Sequence, residues 1–156
     1  MSVEVVKDFF KKWNMEDRVK EFTTSSATVE EAAKALHCEE KRIAKTMSFM
    51  VEGEAILIVM AGDAKVDNSK YKAQFHTKAV MLKGNEVMEL IGHPIGGVCP
   101  FGINEEIKVY LDKSLKRFDT VFPACGSRNS AIELTLQELE RYSKCYEWID
   151  ICKGWE

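Results

Sequence analysis

The stretch Gly92-His93-Pro94-Ile95-Gly96-Gly97-Val98-Cys99-Pro100-Phe101-Gly102 holds four of the nine glycines and two of the three prolines of the chain. Within it, Gly96 to Pro100 forms a G-x-x-x-P loop, in which glycine lets main-chain groups approach a ligand and proline stiffens the exit. Peptide N–H groups aimed at a developing oxyanion, together with a held water, supply much of what ester hydrolysis needs, and no side-chain nucleophile is then required. Taken by itself, such a loop is more often a tight structural turn. Cys99 offers a rival chemistry, as a thiolate activated by His93, although a free buried cysteine is the commoner fate.

Lys45 falls between a helical turn ending at Ala44 and a strand beginning at Thr46, a junction where an ammonium can hold a phosphate or a carbonyl. Alone it reads as an ordinary surface lysine. Ser127 and Asn129, in the turn Ala124-Cys125-Gly126-Ser127-Arg128-Asn129, can donate hydrogen bonds to a ligand, with plain turn chemistry as the bland alternative. Thr24 and Ser25 belong to the hydroxyl-rich loop Thr23-Thr24-Ser25-Ser26, a candidate pocket lining. The three histidines, His37, His76 and His93, lack ligand-like spacing, so no metal is expected. There is no G-x-S-x-G, G-x-x-x-x-G-K-[ST], H-E-x-x-H or post-strand G-x-G-x-x-G, which sets aside the familiar protease and nucleotide chemistries.

The elements that must position these residues follow from periodicity. Val3, Val6, Phe10 and Trp13 recur at helical spacing and predict an opening amphipathic helix, followed by a short strand over Arg18 to Phe22. Thr28 and Glu31 make a capping box for a helix through Leu36, and a helical turn covers Glu39 to Ala44. Thr46 to Val51 and Glu54 to Ala61 read as a hairpin around Gly53. Asp67 caps a helix through Phe75, Ala79 to Leu82 suggests a short strand, and Asn85 to Ile91 a helix. Strands are expected at Ile107 to Leu111, Thr120 to Ala124 (with Pro123 marking an edge or a bulge) and Ala131 to Leu134. A second capping box, Thr135 with Glu138, starts a helix, and Tyr146 to Cys152 reads as a closing strand. Strands and helices interleave irregularly and without repeats, so the fold class is α+β, a strongly twisted mixed sheet curling toward a barrel.

Bulk properties agree with one compact domain over residues 1–156: 46% of residues are hydrophobic and 30% charged. No apolar run approaches the roughly 20 residues of a membrane-spanning helix, and the longest, Ala55 to Ala61, is strand-sized. The start, Met1-Ser2-Val3-Glu4, does not read as a signal peptide. Five cysteines form an odd count without a C-x-x-C pair, which points to a reducing cytoplasm. A net charge of −3 argues against a general nucleic-acid coat, so any nucleic-acid contact is local. Five lysines against one acid between Lys65 and Lys83 could meet phosphate, although a solvated helix face is the default reading.

Four blocks, Arg42-Ile43-Ala44-Lys45-Thr46, Ala61-Gly62-Asp63 with Val66-Asp67, the glycine-proline block Gly92 to Gly102, and Ala124-Cys125-Gly126-Ser127, occur in this order in one known family. By these blocks the chain resembles the YbaK and prolyl-tRNA-synthetase-associated editing domains, from about Glu21 to Leu139. The resemblance implies that family's fold and a free-standing aminoacyl-tRNA deacylase. Such an enzyme hydrolyses, without a cofactor, the ester that links a small wrong amino acid to tRNA-Pro or a similar tRNA. It implies Lys45 as the essential lysine on the terminal nucleotide. Gly96, with Gly97 beside it, would be the loop glycine whose backbone positions the attacking water with the adenosine 2′-hydroxyl, and Pro100 would fix the loop. Thr24, Ser25, His93, Ser127 and Asn129 are the accompanying candidate substrate-binding residues, and the partners implied are the tRNA 3′ acceptor end and an aminoacyl-tRNA synthetase.

Two alternatives stand beside this reading. A binding module would hold a synthetase or an acceptor stem without hydrolysis. A small-ligand domain would use the Thr23 to Ser26 loop and the glycine block as its lining.

Overall fold

The structure is a computed structural model and describes residues 2–156. The chain runs through α1 (Ser2–Lys11), β1 (Lys20–Glu21), α2 (Val29–Leu36), β2 (Ile43–Val51), β3 (Glu54–Ala61), β4 (Lys65–Val66) and α3 (Asn68–Phe75). It continues through α4 (Gly84–Glu86), β5 (Lys108–Asp112), β6 (Thr120–Pro123), β7 (Ser130–Ala131), β8 (Leu134–Thr135), α5 (Leu136–Tyr142), β9 (Glu147–Ile149) and β10 (Cys152–Lys153). Six strands make one mixed sheet in the order β8-β6-β2-β3-β5-β9, curled into a half-barrel, as the α+β expectation has it.

The centre of the sheet is the β2–β3 hairpin, antiparallel from Ala44 opposite Ala61 to Val51 opposite Glu54. Glu52 and Gly53 both take positive φ, +50° and +81°, which supplies the tight two-residue turn. On either side the pairing is parallel: Ile43 meets Phe122 across β2 and β6, Ile56 meets Lys108 across β3 and β5, and Tyr110 meets Glu147 across β5 and β9. Because β3 is flanked on both sides, its run Ile56-Leu57-Ile58-Val59-Met60-Ala61 is buried without alternation.

Three caps expected from sequence form as drawn. Thr28 accepts from the Glu31 N–H at 3.1 Å, Thr135 accepts from the Glu138 N–H at 3.1 Å, and Asp67 accepts from the Ser69 and Lys70 N–H groups. Helix α1 buries Val6 and Phe10, and the Phe10 ring packs on Phe101 at 4.9 Å between centroids. Burying an aromatic of this size is worth about 3 kcal/mol, and here it clamps the far end of the glycine-proline loop.

Several elements differ from expectation. The stretch Arg18 to Phe22 gives a 3-10 turn at Glu16–Arg18 and a two-residue strand, because Lys20 and Glu21 find partners only in Ala131 and Ser130. β2 begins at Ile43, so Lys45 lies inside the strand, opposite Met60, and not at its threshold. Ala79 to Leu82 makes a single bridge, Met81 to Phe49, and Val87–Ile91 winds as a π-helical turn after α4. Pro123 ends an interior strand: β6 is paired on both sides, and the Pro123 carbonyl accepts from Ile132 N–H at 3.0 Å. The expected strand Ala131 to Leu134 splits into β7, paired with β1, and β8, paired with β6. The closing segment also splits, so that β9 extends the main sheet and β10 pairs with β4. Among the described residues no helix is long and apolar enough to cross a membrane.

Candidate functional site

A cleft of about 250 Å³ opens between the start of β2, the N-terminal end of α2 and the glycine-proline loop. Lys45, Thr46, Met47 and Ser48 of β2, Ser26 to Val29 and Ala32 on the α2 side, and Ile95, Gly96 and Val98 of the loop form its walls. Phe122, Ala124, Ser130 and Ala131 close the third side, and Met81, Leu82 and Val87 the fourth. Met81 and Ile95 remain exposed, and so do Val80, Met88 and Leu90, which gives the 80–95 side of the molecule an apolar surface. The wall is predominantly apolar with a minority of hydroxyls, and among the lining residues Lys45 is the only one that carries a charge.

Lys45 is half-buried, and its Nζ donates to the Ala64 carbonyl at 2.5 Å and to the Gly62 carbonyl at 3.5 Å. Burial lowers its pKa below the ordinary lysine value, since the neutral amine is easier to desolvate than the ammonium. The turn that supplies these carbonyls is itself fixed. Arg117 donates a two-pronged pair to Asp63, at 2.6 and 3.0 Å, and this guanidinium holds the Asp63 carboxyl below the usual carboxylate range. At Gly62 a side chain would fall on the Glu40 carbonyl and within 2.8 Å of Val29, so only glycine lets the turn come so close to α2.

Gly96 has φ +91°, a region that other residues resist. A side chain there would lie 2.9 Å from Ala27 Cβ and 3.3 Å from Arg128 Cγ and Nε, so the bare backbone lets both neighbours close over it. Gly97 faces the other way. Its N–H donates to Pro94 at 2.9 Å, its carbonyl accepts from Gly126 N–H at 2.9 Å, and a Cβ would lie 2.5 Å from Ser127 N.

Lys45 and Gly96 therefore line one cleft, and the other residues singled out from sequence lie around it and not on its wall. Pro100 is buried beneath the loop on the α1 side. His93 is buried, with Nε2–H donating to the Phe101 carbonyl at 2.8 Å, and burial lowers its pKa, so it sits as a neutral ring under the loop. Cys99 lies 3.6 Å from that same Nε2 but is sealed from solvent, and burial pushes its thiol up to about 12. Ser25 donates to Glu31 at 3.1 Å, and Thr24 is exposed in the same loop. Ser127 donates to the Ser130 hydroxyl at 2.6 Å, and Asn129 Nδ2 donates to the Phe22 carbonyl at 2.8 Å, which ties the 22–26 loop to the 126–130 turn. Sequence reasoning did not single out Ser130 or Phe122, which carry no motif and reach the cleft only through long-range pairing, nor Arg128, which packs against Gly96.

The curled mixed sheet matches that of solved structures of this editing type. The chain belongs to the aminoacyl-tRNA editing domain family, whose model matches residues 23–142. It is 59% identical over 157 residues to the uncharacterized protein YwhH of Bacillus subtilis (strain 168), covering all of both chains. It is 29% identical over 140 residues to the proline–tRNA ligase of Streptococcus suis (strain 05ZYH33), covering 87% of this chain and 22% of the ligase, about a fifth of that protein. Among solved structures, a candidate trans-editing enzyme for prolyl tRNA synthetase superposes with a TM-score of 0.87 at 28% identity, covering 98% of each chain.

Proposed function

We propose that the protein is a trans-editing aminoacyl-tRNA deacylase, acting on tRNA-Pro or a similar tRNA that carries a small wrong amino acid. The observation that carries this reading is that Lys45 and Gly96 line one cleft of about 250 Å³, a space suited to a small aminoacyl group. The Gly97 N–H is engaged by Pro94, whereas the Gly96 and Val98 N–H groups have no protein partner among the described residues, and both residues line the cleft. These two are the donors available to the oxyanion.

In this reaction a water held by the loop attacks the ester carbonyl, and its proton passes to solvent with the help of the adenosine 2′-hydroxyl. The tetrahedral oxyanion collapses, the bond between the carbonyl carbon and the ribose 3′-oxygen breaks, and that oxygen takes up a proton from solvent through the same 2′-hydroxyl. Lys45, its ammonium fixed by two carbonyls and one N–H still free, anchors the terminal nucleotide. Cys99, sealed and held as a thiol, lies off the cleft wall, which disfavours a thiolate mechanism.

The test is release of amino acid from tRNA charged separately with alanine, cysteine, serine, threonine and proline. Turnover of at least one of the first four is expected, with Lys45→Ala abolishing it and Cys99→Ser leaving most of it. Binding of the whole panel with release no faster than in buffer would make the protein a tRNA-binding module instead.

A further inference from the structure

We propose that Arg128 grips the last internucleotide phosphate of the tRNA acceptor end and so holds the terminal nucleotide over the Gly96 loop. This rests on the deacylase reading above and assigns it a residue that no motif marks. Arg128 is exposed, and among the described residues its guanidinium has no carboxylate, hydroxyl or aromatic partner. The other arginines are engaged: Arg18 with Glu138, Arg42 with Glu133, Arg117 with Asp63, and Arg141 over the Tyr142 ring.

The free guanidinium is nevertheless carried on a fixed stem. The Arg128 carbonyl accepts from the Ser26 N–H at 2.6 Å, and Ser26 is itself a buried residue of the cleft wall. The side chain lies along Gly96, with Cγ and Nε both 3.3 Å from where a Cβ of that residue would stand. Gly96 thus has two consequences: its bare backbone opens to the cleft, and the missing side chain leaves the channel in which Arg128 lies.

The chemistry of the partner follows from the substrate. An aminoacyl ester has no carboxylate, so the only anions at an acceptor end are phosphates, and the guanidinium fork matches a phosphate with two parallel hydrogen bonds. The chain carries a net charge of −3, so binding needs a few well-placed cations near the site in place of a basic surface. Lys45 lines the cleft and Arg128 lies against Gly96 beside it, an arrangement suited to a terminal nucleoside inside and its 5′-phosphate at the lip.

The test compares wild type with Arg128→Gln and Arg128→Lys on two substrates, mischarged tRNA and the corresponding aminoacyl-adenosine, which has no phosphate. For tRNA, R128Q is expected to raise KM about tenfold or more with kcat near wild type, and to flatten the salt dependence by about one ion, while R128K recovers part of the loss. The loss on aminoacyl-adenosine should be at least tenfold smaller. Equal losses on both substrates would overturn the proposal and leave Arg128 a support for the loop, and so would no loss on tRNA. A binding arm separates this from failure of the deacylase reading itself: an uncharged acceptor-stem hairpin ending in CCA is titrated with its last phosphate intact or replaced by a neutral methylphosphonate. Wild type should prefer the intact form about tenfold and R128Q should not discriminate. If wild type binds the two equally, the phosphate contact does not exist, whatever the catalytic outcome.

Discussion

The Gly97 carbonyl accepts the Gly126 N–H at 2.9 Å, and through this bond the glycine-proline loop and the turn after β6 become one piece. Gly96 and Arg128, which flank the bond on the two segments, owe their contact to it.

Gly97→Ala should therefore be more destructive than its size suggests. The new methyl would lie 2.5 Å from Ser127 N and 2.7 Å from Gly126 C, backbone atoms that can move only if the two segments part. We expect a loss of about 2 kcal/mol or more, read as a fall in Tm of about 4 °C or more, together with loss of deacylation. An unchanged Tm would mean that the loops are not tightly joined.

Activity should decline on the alkaline side earlier than an exposed lysine would dictate. Burial lowers the Lys45 pKa, so the ammonium gives up its proton at a pH below the usual 10.5, and whatever it anchors is released as pH rises through that lowered value. The measurement is kcat/KM against pH, corrected for the base-catalysed hydrolysis of the ester without enzyme. A flat profile up to the ordinary lysine value would contradict the assignment.

His93 should make the fold acid-sensitive. Its ring is buried, Nε2–H is bound to Phe101, Nδ1 has no protein partner, and its pKa is depressed by burial. A group whose folded pKa lies below its unfolded value contributes stability above the unfolded pKa, about 6.5 for histidine, and this is lost as pH falls toward the folded value. Urea midpoints measured from pH 7.5 down to 5 should fall for wild type and fall less for His93→Gln. Parallel curves would show that the ring does not titrate on unfolding.

Asp63→Asn should loosen the turn that holds Lys45. With the Arg117 guanidinium depressing the Asp63 pKa, the pair stabilises above the unfolded carboxylate value and its contribution disappears as pH falls through the folded one. At neutral pH the cost should be about 1 kcal/mol, since both side chains keep some solvent. The variant and wild type should converge once pH has fallen below the depressed Asp63 value. Deacylation should drop as well, because the Gly62 and Ala64 carbonyls lose their fixed position.

Much of the local structure was legible in the sequence because its causes are local. Thr28 with Glu31, Thr135 with Glu138, and Asp67 form their caps within one helical turn, and the β2–β3 hairpin needs only its own two strands and the Glu52–Gly53 turn. What was misplaced depends on distant partners. Lys45 sits within a strand because Ile43 and Ala44 are drawn into the sheet by Phe122 and Pro123, and the segments after Cys125 and after Cys145 each split to serve two sheets. At the site, Lys45 and Gly96 were found through family blocks. His93, Ser127 and Asn129 have polar side chains whose partners, Phe101, Ser130 and Phe22, are within the protein, and sequence types alone do not distinguish such an atom from one facing a ligand.

The mixed sheet also constrains how the chain reaches its native state. Only the central hairpin closes between neighbours in sequence; each parallel neighbour must be brought in across a long intervening stretch, with Ile43 waiting for Phe122 and Ile56 for Lys108. Ordering so much chain before a contact is made costs entropy early, which places the protein among slow folders, on the order of milliseconds to seconds. Until β5 and β6 arrive, the hairpin is bare along both edges, with the apolar run Ile56 to Met60 on the β3 edge, so the newly made chain passes through an interval when it is prone to aggregate, well before its cleft exists.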